Sequence, residues 1–342
     1  MMMERMQYFV HKVGAGEKAA QDLTYEEARE AAQLLLSGEA TPAQAGGFLI
    51  AMRVKGETHE EMRAFTEVCR GYNRPLMLQR EIVPLDVPVY AGKKTFFHAI
   101  IPAAFLIAAC GRPVLLHGFS GAPGRLGVAD VLRSLGICVD FTPQEGATLL
   151  ERTGFLYLDV ARFNPPLHRF QLLRNELGVR TILNAVSRMV DPADSGRHLI
   201  GISHPPYFEK TLDVLKRFGS RRVLIVRGVE GGPEPSITSE TKGFLAVDGE
   251  AAPVSITAAE LGLSWARRSD IPGGDPQGQA DLIEKVLAGE RIGPVREWVL
   301  LAAAAGLLAI GEVSGLAEGW KRAGQALNDG TALRKLKESM AV

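Results

Sequence analysis

From Thr24 to Tyr72 the apolar positions recur every three to four residues, the period of a helix with one buried face. In TYEEAREAAQLLLSG a threonine precedes two glutamates and the run closes on Gly38; TPAQAGGFLIAMRVKG repeats that grammar with Pro42 at its first helical position. A hydroxyl cap, an acidic first turn, an early proline and a closing glycine are start and stop signals for helices. The pattern predicts two or three short amphipathic helices joined by tight turns. A unit this small needs a neighbour or a second subunit to cover its apolar face.

After Arg74-Pro75 the period changes. Short β-rich runs alternate with helical ones in RPVLLHGFSG, GVADVLRSLGI, ICVDFTP and RRVLIVRGVEGG. That alternation predicts an α/β fold with a mostly parallel central sheet and helices on both faces. Between Asn164 and Asp191 the stretch PPLHRFQLLRNELGVRTILNAVSRMVD reads as basic and helical, and interrupts the alternation. Helical pattern returns from Gln277 to Met340, and no internal repeat or low-complexity tract is present. The predicted division is a helical domain over 1–78, with 163–190 packing on it, and an α/β domain formed by 79–162 and 191–342.

Composition narrows the class. Hydrophobic residues make up 46% and charged residues 23% of the 342, as in soluble globular proteins. Lysine plus arginine equals aspartate plus glutamate at 39 each, so no global field draws the chain to nucleic acid or membrane. Cys69, Cys110 and Cys138 are odd in number and widely spaced, which suggests neither a disulfide framework nor a CxxC metal site and points to a reduced, cytoplasmic setting. The start, MMMERMQYFV, lacks the apolar core and cleavage site of a secretory signal. The longest apolar run, WVLLAAAAGLLAI from Trp298, falls short of the ~20 residues a membrane helix needs, and reads as a buried core helix.

Locally the charge is uneven. Residues 86–230 hold 18 Lys+Arg against 12 Asp+Glu, a net of +6 that the remaining residues of the neutral chain offset with −6. Arg162, His168, Arg169, Arg174, Arg180 and Arg188 stand at mostly helical spacings, so several can share a face. Such a face suits phosphate contacts, and Tyr90, Phe96, Phe97 and Phe119 would add base stacking if exposed. Arginines on a helix are also what a solvated, salt-bridged surface looks like, and aromatics beside AIIPAAFLIAAC also fit a core.

One stretch carries more specific chemistry. DVPVYAGKKTFFH is a short polar loop with Gly92, Lys93 and Lys94 just before a buried helix, the place where many α/β enzymes hold a phosphate. It is not a Walker loop, because Val87 stands where that motif needs its first glycine. His117 at a strand end is either a phosphate or ribose contact or a backbone-bonded histidine, and His98 reads as a cap or a buried hydrogen bonder. Glu230 and Glu234 in VEGGPEPS are a weak metal signal inside a turn.

LTYEEAREAAQLLLSGEATPAQAGGFLIAMRVKGET, GVADVLRSLGI, GFLYL, LLRNELGVRTILNAV and ADLIEKVLAGERIGPVREWVLLAAAAGLLA together resemble the anthranilate phosphoribosyltransferase family, glycosyltransferase family 3, over nearly the whole chain. The resemblance implies a small helical domain beside a larger α/β domain of nucleoside phosphorylase and phosphoribosyltransferase type. Phosphoribosyl diphosphate would lie between them with Mg2+, and the helical domain would form a homodimer. Against the family's glycine-rich loop GTGGD and following TFN, VYAGKKTFFH keeps Gly92, Thr95 and Phe96 but has Lys93 and Lys94 in place of close-packed glycines. Against KHGNR and GSAD, LHGFSGAPGRLGVAD keeps His117, Gly118, Gly127, Ala129 and Asp130, brings Arg125, and has Leu116, Phe119 and Pro123 where the family has lysine, asparagine and serine. The DGLDE-like magnesium loop becomes VEGGPEPS, with Pro233-Glu234 for the acidic pair.

On the acceptor side Arg174 matches the arginine near the anthranilate carboxylate, with Arg180, Thr181 and Asn184 at family spacing. The pattern is most similar to a diverged second paralogue group with a SYNGARK-like loop, for which nucleic-acid binding has been described. Three readings follow. The chain binds nucleic acid, single-stranded DNA or RNA, or another phosphate-rich ligand in a basic interdomain cleft, with Arg162 and Arg169 joining Arg174 and Arg180; or it is an active phosphoribosyltransferase; or it is a structural partner.

Overall fold

The computed structural model describes residues 2–16, 18–90, 92–119 and 124–341; Pro123 lies outside them. Helices Tyr25–Ser37, Pro42–Lys55 and His59–Gly71 each begin on a threonine whose side chain accepts from the third helical amide, while Glu27, Gln44 and Glu61 reach back to the cap amide. Each such cap contributes about 1 kcal/mol, which is why three short helices start where the sequence says they should. A further helix, Met2–Gly14, precedes them and buries Met6, Phe9 and Val13 along one face.

The sheet has seven strands: β1 Leu85–Pro88, β2 Val114–Gly118, β3 Phe155–Asp159, β4 Arg197–Gly201, β5 Arg222–Val226, β6 Thr241–Val247 and β7 Glu250–Ile256. Their order is β3-β2-β1-β4-β5-β6-β7. The first five run parallel, and β5–β6 and β6–β7 pair antiparallel. The β6–β7 turn is Asp248-Gly249, both at positive φ (47° and 87°), the backbone a two-residue hairpin demands.

One expected run is not a strand. Across 137–142 Ile137 and Val139 are buried while Cys138 and Asp140 are exposed, which creates the β-like alternation, but the segment is an extended connection with no pairing partner.

The sheet has two apolar faces because successive strand residues point opposite ways. Val114, Leu116, Phe155, Tyr157, Leu224 and Val226 pack with helices Ile100–Ala109 and Pro294–Ile310. Leu115, Leu156, Leu158, Val223 and Ile225 join the same core as Phe48, Met52 and Phe65 of the N-terminal helices. Helix Pro294–Ile310 is buried almost throughout, and among the described residues no helix is long and apolar enough to cross a membrane.

The stretch after Asn164 forms helices Pro165–Leu177 and Ile182–Val186 and is tied to the N-terminal helices. Asn164 Nδ2 donates to Cys69 O and Asn73 Oδ1, both at 2.8 Å. Arg169 Nη2 donates to Leu36 O at 2.8 Å, and Arg53 Nη1 to Arg180 O at 2.7 Å. Because β1, β2 and β5 are parallel, the loops that follow them emerge at one edge, the carboxyl edge where open α/β sheets place ligands.

Candidate anion-binding cleft

The loop after β1 is joined to the loop after β2 by a reciprocal pair: Lys93 N donates to Leu126 O at 2.9 Å and Leu126 N to Lys93 O at 2.8 Å. Gly92 makes that approach possible. Its φ is +60°, and a Cβ there would sit 2.9 Å from Leu126 O. Arg125 Nη1 donates to Gly92 O at 3.1 Å. His98 Nε2 lies 3.0 Å from Leu126 O and must donate, since a carbonyl only accepts. Burial, aided by the nearby Lys93 charge, pushes His98 down to about 3, so it is a neutral buried hydrogen bonder.

Lys93 turns inward rather than toward the cleft. Its Nζ is 2.7 Å from Glu234 Oε2 and 2.6 Å from Val229 O, with both side chains buried. Glu234 Oε1 also accepts from Ile100 N at 3.3 Å. The neighbouring backbone is glycine for a steric reason: a Cβ on Gly232 would fall 2.2 Å from Glu234 Oε2 and 2.6 Å from Lys93 Nζ. Glu230 closes the loop from the other side. Its Oε2 accepts from Lys94 N at 2.6 Å, and its Oε1 from Thr95 N at 3.2 Å and Thr95 Oγ1 at 2.9 Å.

Magnesium needs hard oxygens that are free to bind it. Glu234 has given its carboxylate to an ammonium and a backbone amide, and Glu230 has given its to two amides and a hydroxyl. As arranged, these residues do not fit a magnesium site; the Lys93 ammonium supplies the positive charge beside Glu234.

Beside these loops several arginines lie close enough to feel one another's charge. Arg188 is half-buried, with Nε donating to Gly201 O at 3.2 Å and Nη1 to Asn184 O. Burial and the charges of Arg180 and Arg174 push it down to about 10. Arg180 is lowered by burial and then by Arg174, Arg125 and Arg53; Arg174 by burial and then by Arg125. No carboxylate pairs with Arg125, Arg174, Arg180 or Arg188 among the described residues. Half-buried cations that repel one another without a counter-ion are a site built for an anion. Adjoining them, Arg125, Arg227, Ser203, Ser236, Thr238 and Glu230 line an open cleft of about 520 Å³.

Other predicted site residues stand elsewhere. Arg162 is an exposed surface residue, its Nε 2.5 Å from Asp140. Arg169 holds the end of helix Tyr25–Ser37. Asp130 caps Gly127 N at 3.0 Å and pairs with Arg133, and Asn184 accepts from Thr181 N at 2.8 Å, both as helix caps. His117 is fully buried in the sheet, 3.1 Å from Tyr90 OH on one side and from Asp86 on the other. Gly118 abuts Val89 beside it. The stacking role is corrected for three of the four aromatics: Tyr90, Phe97 and Phe119 are buried, while Phe96, half-buried, lines the cleft and lies against Trp298 beneath the Arg268 guanidinium.

Asp86, Asp191 and His198 come close enough to hold a metal, but they are already spent on one another and on neighbours. His198 Nδ1 meets Asp86 at 2.9 Å and Nε2 meets Ser220 Oγ at 2.9 Å, while Asp191 accepts from Ser195 N and Gly196 N. The trio reads as a core network whose remaining oxygen, Asp86 Oδ1, faces His117 Nε2 at 3.1 Å. Two residues are absent from the sequence-based set: Arg227, which lines the cleft and whose place just after the β5 run is a usable signal, and Arg53, which no local pattern marks and which holds Arg180 by its carbonyl.

Two family models match the chain: the glycosyl transferase family helical bundle domain over residues 7–72, and the glycosyl transferase family a/b domain over 92–333. An anthranilate phosphoribosyltransferase of Desulfitobacterium hafniense (strain Y51) is 35% identical over 337 residues, 98% of this chain and 99% of that protein. One from Symbiobacterium thermophilum is 35% identical over 92% of each. The crystal structure of the Thermus thermophilus anthranilate phosphoribosyltransferase superimposes with a TM-score of 0.85 at 32% identity, covering 97% of this chain and 98% of that one. The Saccharomyces cerevisiae enzyme in complex with PRPP and Mg shares the fold, with a TM-score of 0.85 at 18% identity.

Proposed function

From a chain that belongs to the glycosyl transferase family, carrying its helical bundle and a/b domains, we propose a phosphoribosyltransferase that holds a donor of the phosphoribosyl diphosphate class in this cleft. Arg174 and Arg180 face an acidic aromatic acceptor. The observation that carries the reading is the cluster of Arg125, Arg174, Arg180 and Arg188 with no carboxylate to neutralise it among the described residues.

The chemistry expected of these residues is electrostatic. As the diphosphate leaves the sugar, negative charge grows on its oxygens, and pre-placed guanidinium groups stabilise that charge without reorganising. Burial strengthens the effect. Lys93 adds little directly, because its charge is balanced by Glu234.

A single-stranded nucleic-acid backbone is the second reading, favoured by the occupied carboxylates where a magnesium loop would be. The burial of Tyr90, Phe97 and Phe119 weighs against it, since most of the base stacking is then missing. Self-association through the helical part belongs to the same proposal, supported by Tyr8 and Val54 at 45% and 80% exposure.

Calorimetric titration separates the readings. Phosphoribosyl diphosphate is expected to bind with or without magnesium, and Arg125→Ala to weaken it at least tenfold, whereas Arg174→Ala should weaken anthranilate binding instead. Anthranilate fluorescence should fall when both substrates are present. Salt-sensitive binding of single-stranded DNA with no heat from the sugar diphosphate would replace the transferase reading by the second.

A further inference from the structure

We infer that Glu230 is a tethered anion occupying the backbone seat of this cleft, so that a ligand phosphate binds by displacing it. The inference rests on the proposal that the cleft takes a phosphorylated ligand, and adds how access is controlled.

Two independent observations support it. The first is what the carboxylate touches: the Lys94 amide on one oxygen and the Thr95 amide and hydroxyl on the other, three donors converging on one anionic group as they would on a phosphate. Glu230 has no ion pair with Arg125 or Arg227, although all three line the same cleft of about 520 Å³. It is bound as a ligand of the loop and not as a partner of the arginines.

The second observation is the backbone. Glu230 is a non-glycine residue in the left-handed region (φ 56°, ψ 21°), in a turn flanked by Gly228, Gly231 and Gly232. That conformation is unfavourable for a residue with a Cβ and is held by the side-chain contacts it permits. Glu230 is half-buried and its bonds to Lys94 and Thr95 lie at exposed positions, so solvent and a dissolved anion can reach them. A diphosphate offers the two amides more charge than one carboxylate and draws on the arginines as well. The exchange is therefore favourable for a multiply charged ligand and poor for a singly charged one.

The test uses inorganic pyrophosphate titrated into the full chain and into Glu230→Gly and Glu230→Gln, with circular dichroism to establish folding. Glu230→Gly removes the carboxylate and relieves the positive φ; Glu230→Gln keeps the shape but removes the charge and serves if the glycine variant fails to fold. Pyrophosphate is expected to bind at least tenfold more tightly to the variants, and to raise their melting temperature more than it raises that of the wild type. Equal or weaker binding in a folded variant overturns the inference. If wild-type protein binds phosphoribosyl diphosphate through Arg125 while the variants gain nothing, only the displacement idea falls. Tighter pyrophosphate binding in the variants, with no binding of phosphoribosyl diphosphate to the wild type or to the variants, would retain the displacement and reject the transferase reading.

Discussion

Lys93 illustrates how one residue's role depends on its surroundings. Next to Gly92 it has the look of a phosphate ligand, yet its ammonium is held in a buried pair with Glu234 at 2.7 Å. Removing one member of such a pair leaves an uncompensated buried charge, at a cost of about 3–5 kcal/mol. Lys93→Met is accordingly expected to lower unfolding free energy by about that amount in urea titrations, and Lys93→Met with Glu234→Gln together to recover most of it. A Lys93→Met protein of unchanged stability would show that the pair carries no such load. Lys94, exposed beside it, contributes its backbone amide instead.

At the level of elements the cleft depends on how tightly two loops approach. The bridge between Lys93 and Leu126 needs Gly92 at φ +60° with no Cβ against Leu126 O. Gly92→Ala combines a left-handed alanine, about 1–2 kcal/mol, with a clash that must move the loop, about 1–3 kcal/mol more. We expect a drop of roughly 2–5 kcal/mol in stability together with weaker ligand binding, because Lys94 N, Thr95 N and Arg125 all move with the loop. Denaturation and calorimetry on the same variant check both halves. The helices from Tyr25 to Gly71 are legible in the sequence because their threonine capping boxes are written within four consecutive residues. The 137–142 segment misleads because burial alternates there as in a strand, while pairing depends on a neighbour that the local sequence cannot specify.

For the whole molecule the pH response follows from buried groups. His98 has a folded value of about 3 against an ordinary 6.5. As pH falls below 6.5 the unfolded chain takes up a proton that the folded chain refuses, so His98 favours the unfolded state progressively down to about 3. Its contribution to stability is complete above 6.5 and declines by about 1.4 kcal/mol per pH unit within that window. Glu27 acts in the same direction lower down: despite burial, which raises it, Lys12, the Thr24 amide and Tyr8 hold it at about 2 rather than 4.5, so its stabilisation is lost as pH falls through that range. Urea midpoints should decline steadily from neutral pH to about 4, and His98→Gln should flatten the upper part of that slope. A flat wild-type profile between about pH 6.5 and 5 would contradict the buried neutral histidine.

The helical opening, the switch to alternating strands and helices, the buried nature of the Trp298 run and the family likeness are all written in the order of the amino acids. They are carried by periodicity and caps, which act between residues a few positions apart. The chemistry of the cleft has a different origin, in contacts between remote parts of the chain. Lys93 meets Glu234 across 141 positions and Lys94 meets Glu230 across 136, and Arg53 reaches Arg180 across 127. Whether a lysine faces solvent or a carboxylate, and whether four arginines converge or scatter, depends on which loops the parallel strands bring to one edge. Local patterns contain no record of that distance, so Arg162 and Arg174 look alike until the fold separates them.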